Sequence, residues 1–223
     1  LPGAGVVTAG NATITNNGAG NLTITQTSPK AALNWQSFNI GATESVRFVQ
    51  PDSSSVALNR VMGSDPSRIL GSLTANGQVF LINPNGVLFG KDASVNVGGL
   101  VASALDLSDQ DFMAGRYLLS AGNGQPGKLQ ADGVIDVHGG TLALAGGRVR
   151  FEGAGLSLDV SDYPFAAAPT PGRPVVRWTC CRAAACAGVR PEPRALSRRH
   201  AALHVGVASS SAVLQRSDGA ALL

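Results

Sequence analysis

The chain has 223 residues, 44% of them hydrophobic, 14% charged and 5% aromatic, with a formal net charge of +3. That length supports a sizeable core in one or two domains, no apolar run nears the ~18 residues of a membrane-spanning helix, and the composition is not that of a disordered chain. The 28 glycines lack a Gly-X-Y period, which excludes collagen and signals many turns.

Alternation of apolar and polar residues, the period of a β-strand, dominates the first 160 residues. Residues 11–15 and 21–25 are near-copies, with Asn17-Gly18 between them as the expected turn. Residues 45–50 alternate next. Asp65 and Pro66 then read as the N-cap and first position of one helical turn through Leu70. Strand patterns resume at 78–82 and 93–97, separated by Asn83-Pro84-Asn85-Gly86. In that tetrapeptide Pro84 presets φ at the second position of a type I turn, and Gly86 suits the fourth. Asn83 can accept a hydrogen bond from the turn backbone. A short helix is expected over 108–114, capped by Ser108 or Asp109. Strands follow at 133–137, 141–144, 148–151 and 156–160.

Turn signals every eight to ten residues between short strands mean an all-β fold: sandwich, barrel or solenoid. Small and aliphatic inward residues, glycine at the corners and asparagine near strand ends favour a parallel β-helix. Stacked asparagines at the turns are expected to bond successive coils and to satisfy corner backbone groups. Trp35 and Phe38, three apart on a strand-like segment, are expected to face opposite sides and both to be buried.

After residue 160 the alternation stops, and residues 166–174 read as a break. Residues 1–165 carry 9 Lys and Arg against 12 Asp and Glu; residues 166–223 carry 8 Arg against 2 acids. The basic excess is therefore confined to an Ala/Arg/Pro-rich tail, and the pI near 9.0 does not identify a nucleic-acid binder. The two expected units are 1–165, a folded domain, and 166–223, an unstructured tail. The tail holds Cys180, Cys181, Cys186, His200 and His204, but not the paired spacings of a zinc knuckle.

Other chemical readings are weaker. Residues 122–127 match G-x-G-x-x-G without the strand before and helix after that a dinucleotide site needs, so they read as a loop. Asp106, Asp109 and Asp111 do not have the spacing of an EF-hand and read as a solvated loop or helix cap. His138 is the single histidine of the first part, and its acids are scattered. No catalytic triad or paired carboxylates are expected, and neither enzyme activity, cofactor nor metal is assigned.

Residues 78–90 carry the most distinctive motif. Together with 34–41, 49–51, 55–61, 69–71, 96–103 and 109–112, in that order, they resemble the amino-terminal secretion domain of filamentous haemagglutinin-like proteins, the exported members of two-partner secretion systems. The likeness is close over residues 2–107 and fades towards 160. Asn-Pro-Asn-Gly replaces the Asn-Pro-Asn-Leu of some members. The resemblance implies a right-handed parallel β-helix with an amino-terminal cap and extra-helical strands. It implies export through the periplasm after loss of a leader, to the medium or the bacterial cell surface, with peripheral rather than integral membrane association. It implies a partner: a cognate outer-membrane β-barrel transporter with periplasmic transport-associated modules. Asn34, Trp35, Gln36, Phe38 and Asn39 of the first motif, and Asn83, Pro84, Asn85 and Gly86 of the second, are the expected recognition or folding residues. An adhesin that itself binds host glycans or another host surface ligand is the alternative.

Overall fold

A computed structural model describes residues 1–120, 125–138 and 140–153, together with the backbone of strand segments 156–159, 177–179, 202–207 and 211–213. The chain is a parallel β-solenoid of about 5 turns. Three sheets run along it. Sheet 1 contains β1 (Val6–Ala9), β4 (Lys30–Trp35), β6 (Val56–Val61), β9 (Gln78–Ile82), β12 (Gly99–Ser103), β16 (Thr141–Gly146), β20 (Ala202–Val207) and β19 (Arg177–Thr179), in that spatial order. Sheet 2 runs from β7 (Ser67–Ile69) through β10 (Gly86–Phe89), β14 (Lys128–Ala131) and β17 (Arg148–Gly153) to β18 (Leu156–Asp159). Sheet 3 runs from β2 (Ala12–Gly18) through β3 (Asn21–Gln26), β5 (Ser45–Val49), β8 (Ser72–Ala75) and β11 (Ser94–Asn96) to β15 (Val134–Asp136). A further antiparallel pair joins β13 (Leu118–Ser120) to β21 (Ser211–Val213).

Each coil visits sheet 3, then sheet 1, then sheet 2. Registers are parallel: Val56 pairs with Gln78, Gln78 with Gly99, and Val87 with Leu129. The amino-terminal end differs. There β1 pairs antiparallel with β4, and β2 antiparallel with β3, so the first parallel rungs of sheets 1 and 3 are covered rather than left as open edges. The expected cap is therefore built by reversing the chain direction.

The core lies between the sheets. Leu22, Ile24, Leu33, Trp35, Val46, Phe48, Leu73, Val79, Leu81, Val87, Phe89 and Leu100 pack in one continuous cluster. Sheet 1 is also covered on its outer face, which is unlike a half-exposed sheet. Ala32, Val56, Leu58, Phe80, Ile82 and Val101 point outward there and are buried by Leu105, Leu107, Phe112, Tyr117 and Leu119. These last five belong to an excursion over 104–120 that contains α1 (Asp109–Met113) and β13. Two-sided burial explains why β4, β6 and β12 read as apolar runs and not as alternating strands.

Several sequence expectations need correction. Residues 65–70 do not form a helical turn; Ser67–Ile69 is β7, because pairing to β10 outweighs a one-turn helix that has little cooperativity of its own. The hairpin turn falls at Ala19-Gly20, both with positive φ (47° and 79°), not at Asn17-Gly18, which lies at a register irregularity between β2 and β3. Trp35 and Phe38 do not face opposite sides. Strand β4 ends at Trp35, so alternation no longer governs Phe38, and the two rings meet edge to face at 5.5 Å inside the same core. Both are buried, as expected. The short helix is present, with Ser108 as its N-cap accepting from the Asp111 N–H.

A buried pair of glutamines also joins the coils. Gln50 Nε2 donates to Gln26 Oε1 (3.2 Å) and to the carbonyls of Ser55 (3.1 Å) and Gln78 (3.3 Å), while its Oε1 accepts from the Gly77 N–H (3.0 Å). Asparagines bond the neighbouring coil's backbone at the turns, as expected: Asn76 exchanges two 2.7 Å bonds with the main chain of Gln50. The boundary at 165/166, the tail cysteines, His200 and residues 122–124 of the glycine-rich loop lie outside the described residues.

Candidate functional site

The two motifs that carry the resemblance meet at one corner of the solenoid, where the chain leaves sheet 1 for sheet 2. Residues 36–39 make the first storey of that corner, 62–66 the second and 83–86 the third. Trp35 pairs with Val61 across β4 and β6, and the Met62 N–H donates to the Trp35 carbonyl (2.8 Å). Gly63 lies so close above the first storey that a Cβ there would sit 2.2 Å from the Gln36 carbonyl oxygen. The third storey rests on the second through side chains. Asn83 Nδ2 donates to the Asp65 carbonyl (3.0 Å) and Ser67 Oγ (3.0 Å), and Asn85 Nδ2 donates to the Gly63 carbonyl (2.9 Å).

The turn itself forms as its sequence predicts. The Gly86 N–H donates to the Asn83 carbonyl (2.9 Å), and Asn83 Oδ1 accepts from the Asn85 N–H (3.0 Å). Gly86 takes φ +110°, where a side chain would be strained and a Cβ would meet the Lys128 carbonyl at 2.4 Å. From above, the Gly127 N–H donates to the Pro84 carbonyl (2.8 Å). The turn is thus clamped between coils on both sides.

Side-chain roles divide cleanly at this corner. Trp35, Phe38 and Asn83 are buried, with Asn83 fully enclosed and bonded through both amide atoms. Trp35 Nε1 donates to Asn59 Oδ1 (3.0 Å) in the core. Asn39 Oδ1 accepts from the Arg68 N–H (2.8 Å), tying the first storey to β7. Asn34 faces the covered side of sheet 1 and accepts from Arg60 Nη1 (3.2 Å). Only Gln36, Pro84 and Asn85 of the predicted residues are exposed, and Met62, 60% exposed, stands with them.

Sequence reasoning missed the middle storey. Nothing in Met62–Gly63 marks it, because its role is to be a spacer of the right height. It also missed Arg60, although a lone charge in the apolar strand Val56–Val61 is a signal that a partner must cover it. Arg60 meets Asp106 (2.9 Å) and Asp109 (2.6 Å) on the excursion over sheet 1. Asp111 instead accepts from Ser108 Oγ (2.7 Å) and Arg116 Nε (2.9 Å), which hold its carboxyl below the usual aspartate range. Among the described residues no group of three or more His, Cys, Asp or Glu could hold a metal. The corner offers amide and main-chain hydrogen-bonding groups beside apolar contact area, the chemistry of protein recognition.

Comparison with known proteins places this geometry. The chain is 47% identical over 107 residues to a heme/hemopexin-binding protein of Haemophilus influenzae, covering 48% of this chain and 12% of that protein. A second heme/hemopexin-binding protein from the same species is 49% identical over 98 residues, covering 44% of this chain and 11% of its own. The crystal structure of the HMW1 secretion domain from Haemophilus influenzae superposes with a TM-score of 0.62 at 34% identity, over 69% of this chain and 41% of that one. The chain spans only a small part of the curated relatives' length, and what they bind is theirs. No helix among the described residues is long and apolar enough to cross a membrane. A family model for the TPS secretion domain matches residues 3–170, and the chain therefore belongs to the TPS secretion domain family, the two-partner secretion modules of exported proteins.

Proposed function

We propose that residues 1–165 are the part of this exported protein that a cognate outer-membrane β-barrel transporter recognises in the periplasm, through the transporter's periplasmic modules. The observation that carries this reading is the stacking of both sequence motifs at one corner, with Gln36, Met62, Pro84 and Asn85 on its outside. The buried members, Trp35, Phe38, Asn83 and Gly86, and the half-buried Asn39 set the height and angle of that surface. The exposed ones make contact. Strands β1 and β2, at the ends of sheets 1 and 3, add main-chain groups on which a partner strand can register. In this reading residues 166–223 take no part in recognition.

The test is export from cells carrying the leader-bearing chain, with and without the transporter. Intact protein in the medium only when the transporter is present is the expected result. Replacing Asn83 and Asn85 together by alanine is expected to abolish export through loss of the corner. Replacing the exposed Gln36 and Pro84 by alanine is expected to reduce export while the purified protein keeps its protease-resistant core. Normal export of a folded Asn83→Ala/Asn85→Ala protein would overturn the assignment.

A further inference from the structure

The excursion over 104–120 closes over strands that precede it by several coils. Its underside is apolar: Leu105, Leu107, Phe112, Tyr117 and Leu119 are buried against the outward side chains of sheet 1. Phe80 lies 6.0 Å from Phe112 and 5.0 Å from Tyr117, centroid to centroid. Its base is closed on itself by reciprocal backbone bonds between Asp106 and Ser120 (2.8 and 2.9 Å).

The polar rim is made with the first two coils and the cap. Arg60 binds Asp106, Asp109 and the Leu107 carbonyl of the excursion, and is itself positioned by Asn34. Thr8 Oγ1 of β1 donates to Asp109 Oδ2 (2.6 Å). Lys30 Nζ of β4 donates to the carbonyls of Phe112 (3.3 Å) and Met113 (3.4 Å) and lies 5.5 Å from the Tyr117 ring centre. Burial lowers the Lys30 ammonium pKa. The Arg60 side chain is only 12% exposed.

We propose that residues 104–120 are a clasp, keyed by Arg60, that closes over sheet 1 as a separate step after the first three coils have formed. In a chain that emerges amino terminus first, residues 1–103 can build β3 to β12 before the clasp exists. Their sheet 1 then exposes an apolar face, and the Arg60 guanidinium has no carboxylate. Closure buries both together. The clasp thus converts loosely held coils into a locked domain, and does so whether or not the corner described above meets a transporter.

Hydrogen exchange on the full chain tests this. In Arg60→Gln, amides of 104–120 are expected to exchange about tenfold faster or more, with a smaller rise in β4, β6 and β9. Those of β3, β5 and β8 in sheet 3 should keep wild-type protection. Tryptic cleavage after Arg116 should accelerate in parallel. The milder Asp109→Asn, which leaves the Arg60–Asp106 pair, is expected to show the same pattern at lower amplitude and guards against misfolding of the arginine variant. Wild-type protection of 104–120 in both variants would overturn the proposal. So would loss of protection in sheets 1 and 3 together, since the clasp would then not be a separable unit.

Discussion

Single buried polar groups decide much of this core's specificity. Asn59 is fully buried among apolar side chains, yet both its amide atoms are used: Oδ1 accepts from Trp35 Nε1, and Nδ2 donates to the carbonyls of Ala57 (3.2 Å) and Phe80 (3.3 Å). Asn59→Ala leaves the indole N–H without a partner, and is expected to lower stability by about 1–3 kcal/mol in urea unfolding. With Trp35→Phe already in place the same substitution should cost less, because the orphaned donor is gone. Tyr117 is the opposite case. Its hydroxyl is buried with no hydrogen-bond partner among the described residues, and burial pushes its pKa up to about 12. Tyr117→Phe is therefore expected to leave stability unchanged or raise it by up to about 1 kcal/mol. The pH dependence follows in sign. In the unfolded chain the phenol ionises near pH 10, whereas in the folded chain it stays protonated until about 12. The associated stability is intact below pH 10 and declines between 10 and about 12, and a comparison of wild type with Tyr117→Phe by alkaline unfolding isolates it.

At the scale of elements, the turn over 83–86 shows how local sequence and tertiary stacking agree. Its type was legible from Asn83, Pro84 and Gly86 alone, since fixed φ, side-chain acceptance and conformational freedom are properties of those residues. That the turn is clamped by Gly63 and Asp65 below and Gly127 above was not legible, because the contacts join residues distant in sequence. Gly86→Ala is expected to destabilise by about 1–3 kcal/mol through φ strain, with the Lys128 carbonyl contact adding to it; urea midpoints measure the shift. The misplaced elements have one cause. Residues 65–70 carry a sound helix-start signal, and Asn17-Gly18 a sound hairpin signal, but pairing with β10 and with β3 sets the conformation of each. Helix α1 kept its predicted place because its Ser108 cap lies outside the rungs, where no ladder competes.

The whole molecule is held by rungs between coils, so most of its pairings join distant parts of the chain, such as Lys30 with Val56 and Gly86 with Lys128. Such topologies fold slowly, because loops must close before the contacts form. Refolding from urea is expected on a scale of seconds or longer, read by stopped-flow tryptophan fluorescence. Completion in about a millisecond would contradict the parallel topology. Covered ends matter for the same reason. Antiparallel β1 and β2 shield the amino-terminal rungs, and the clasp shields the outer face of sheet 1, leaving sheet 3 with its Thr- and Ser-rich face in solvent.

The sequence by itself determined that the chain is all-β with a short capped helix, that its asparagine-proline turn is type I, and, through ordered motifs over a hundred residues, its family and with it the solenoid. These are consequences of period, turn chemistry and motif order, all of which are local. Only the tertiary structure decided that the two motifs stand at one corner on either side of Gly63. Only it decided that a buried glutamine pair adds to the asparagine corners, and that Arg60 is matched by Asp106 and Asp109. Each of these depends on which residues one coil sets above another, and that register is fixed by coil length and two-sided burial, which no local pattern records.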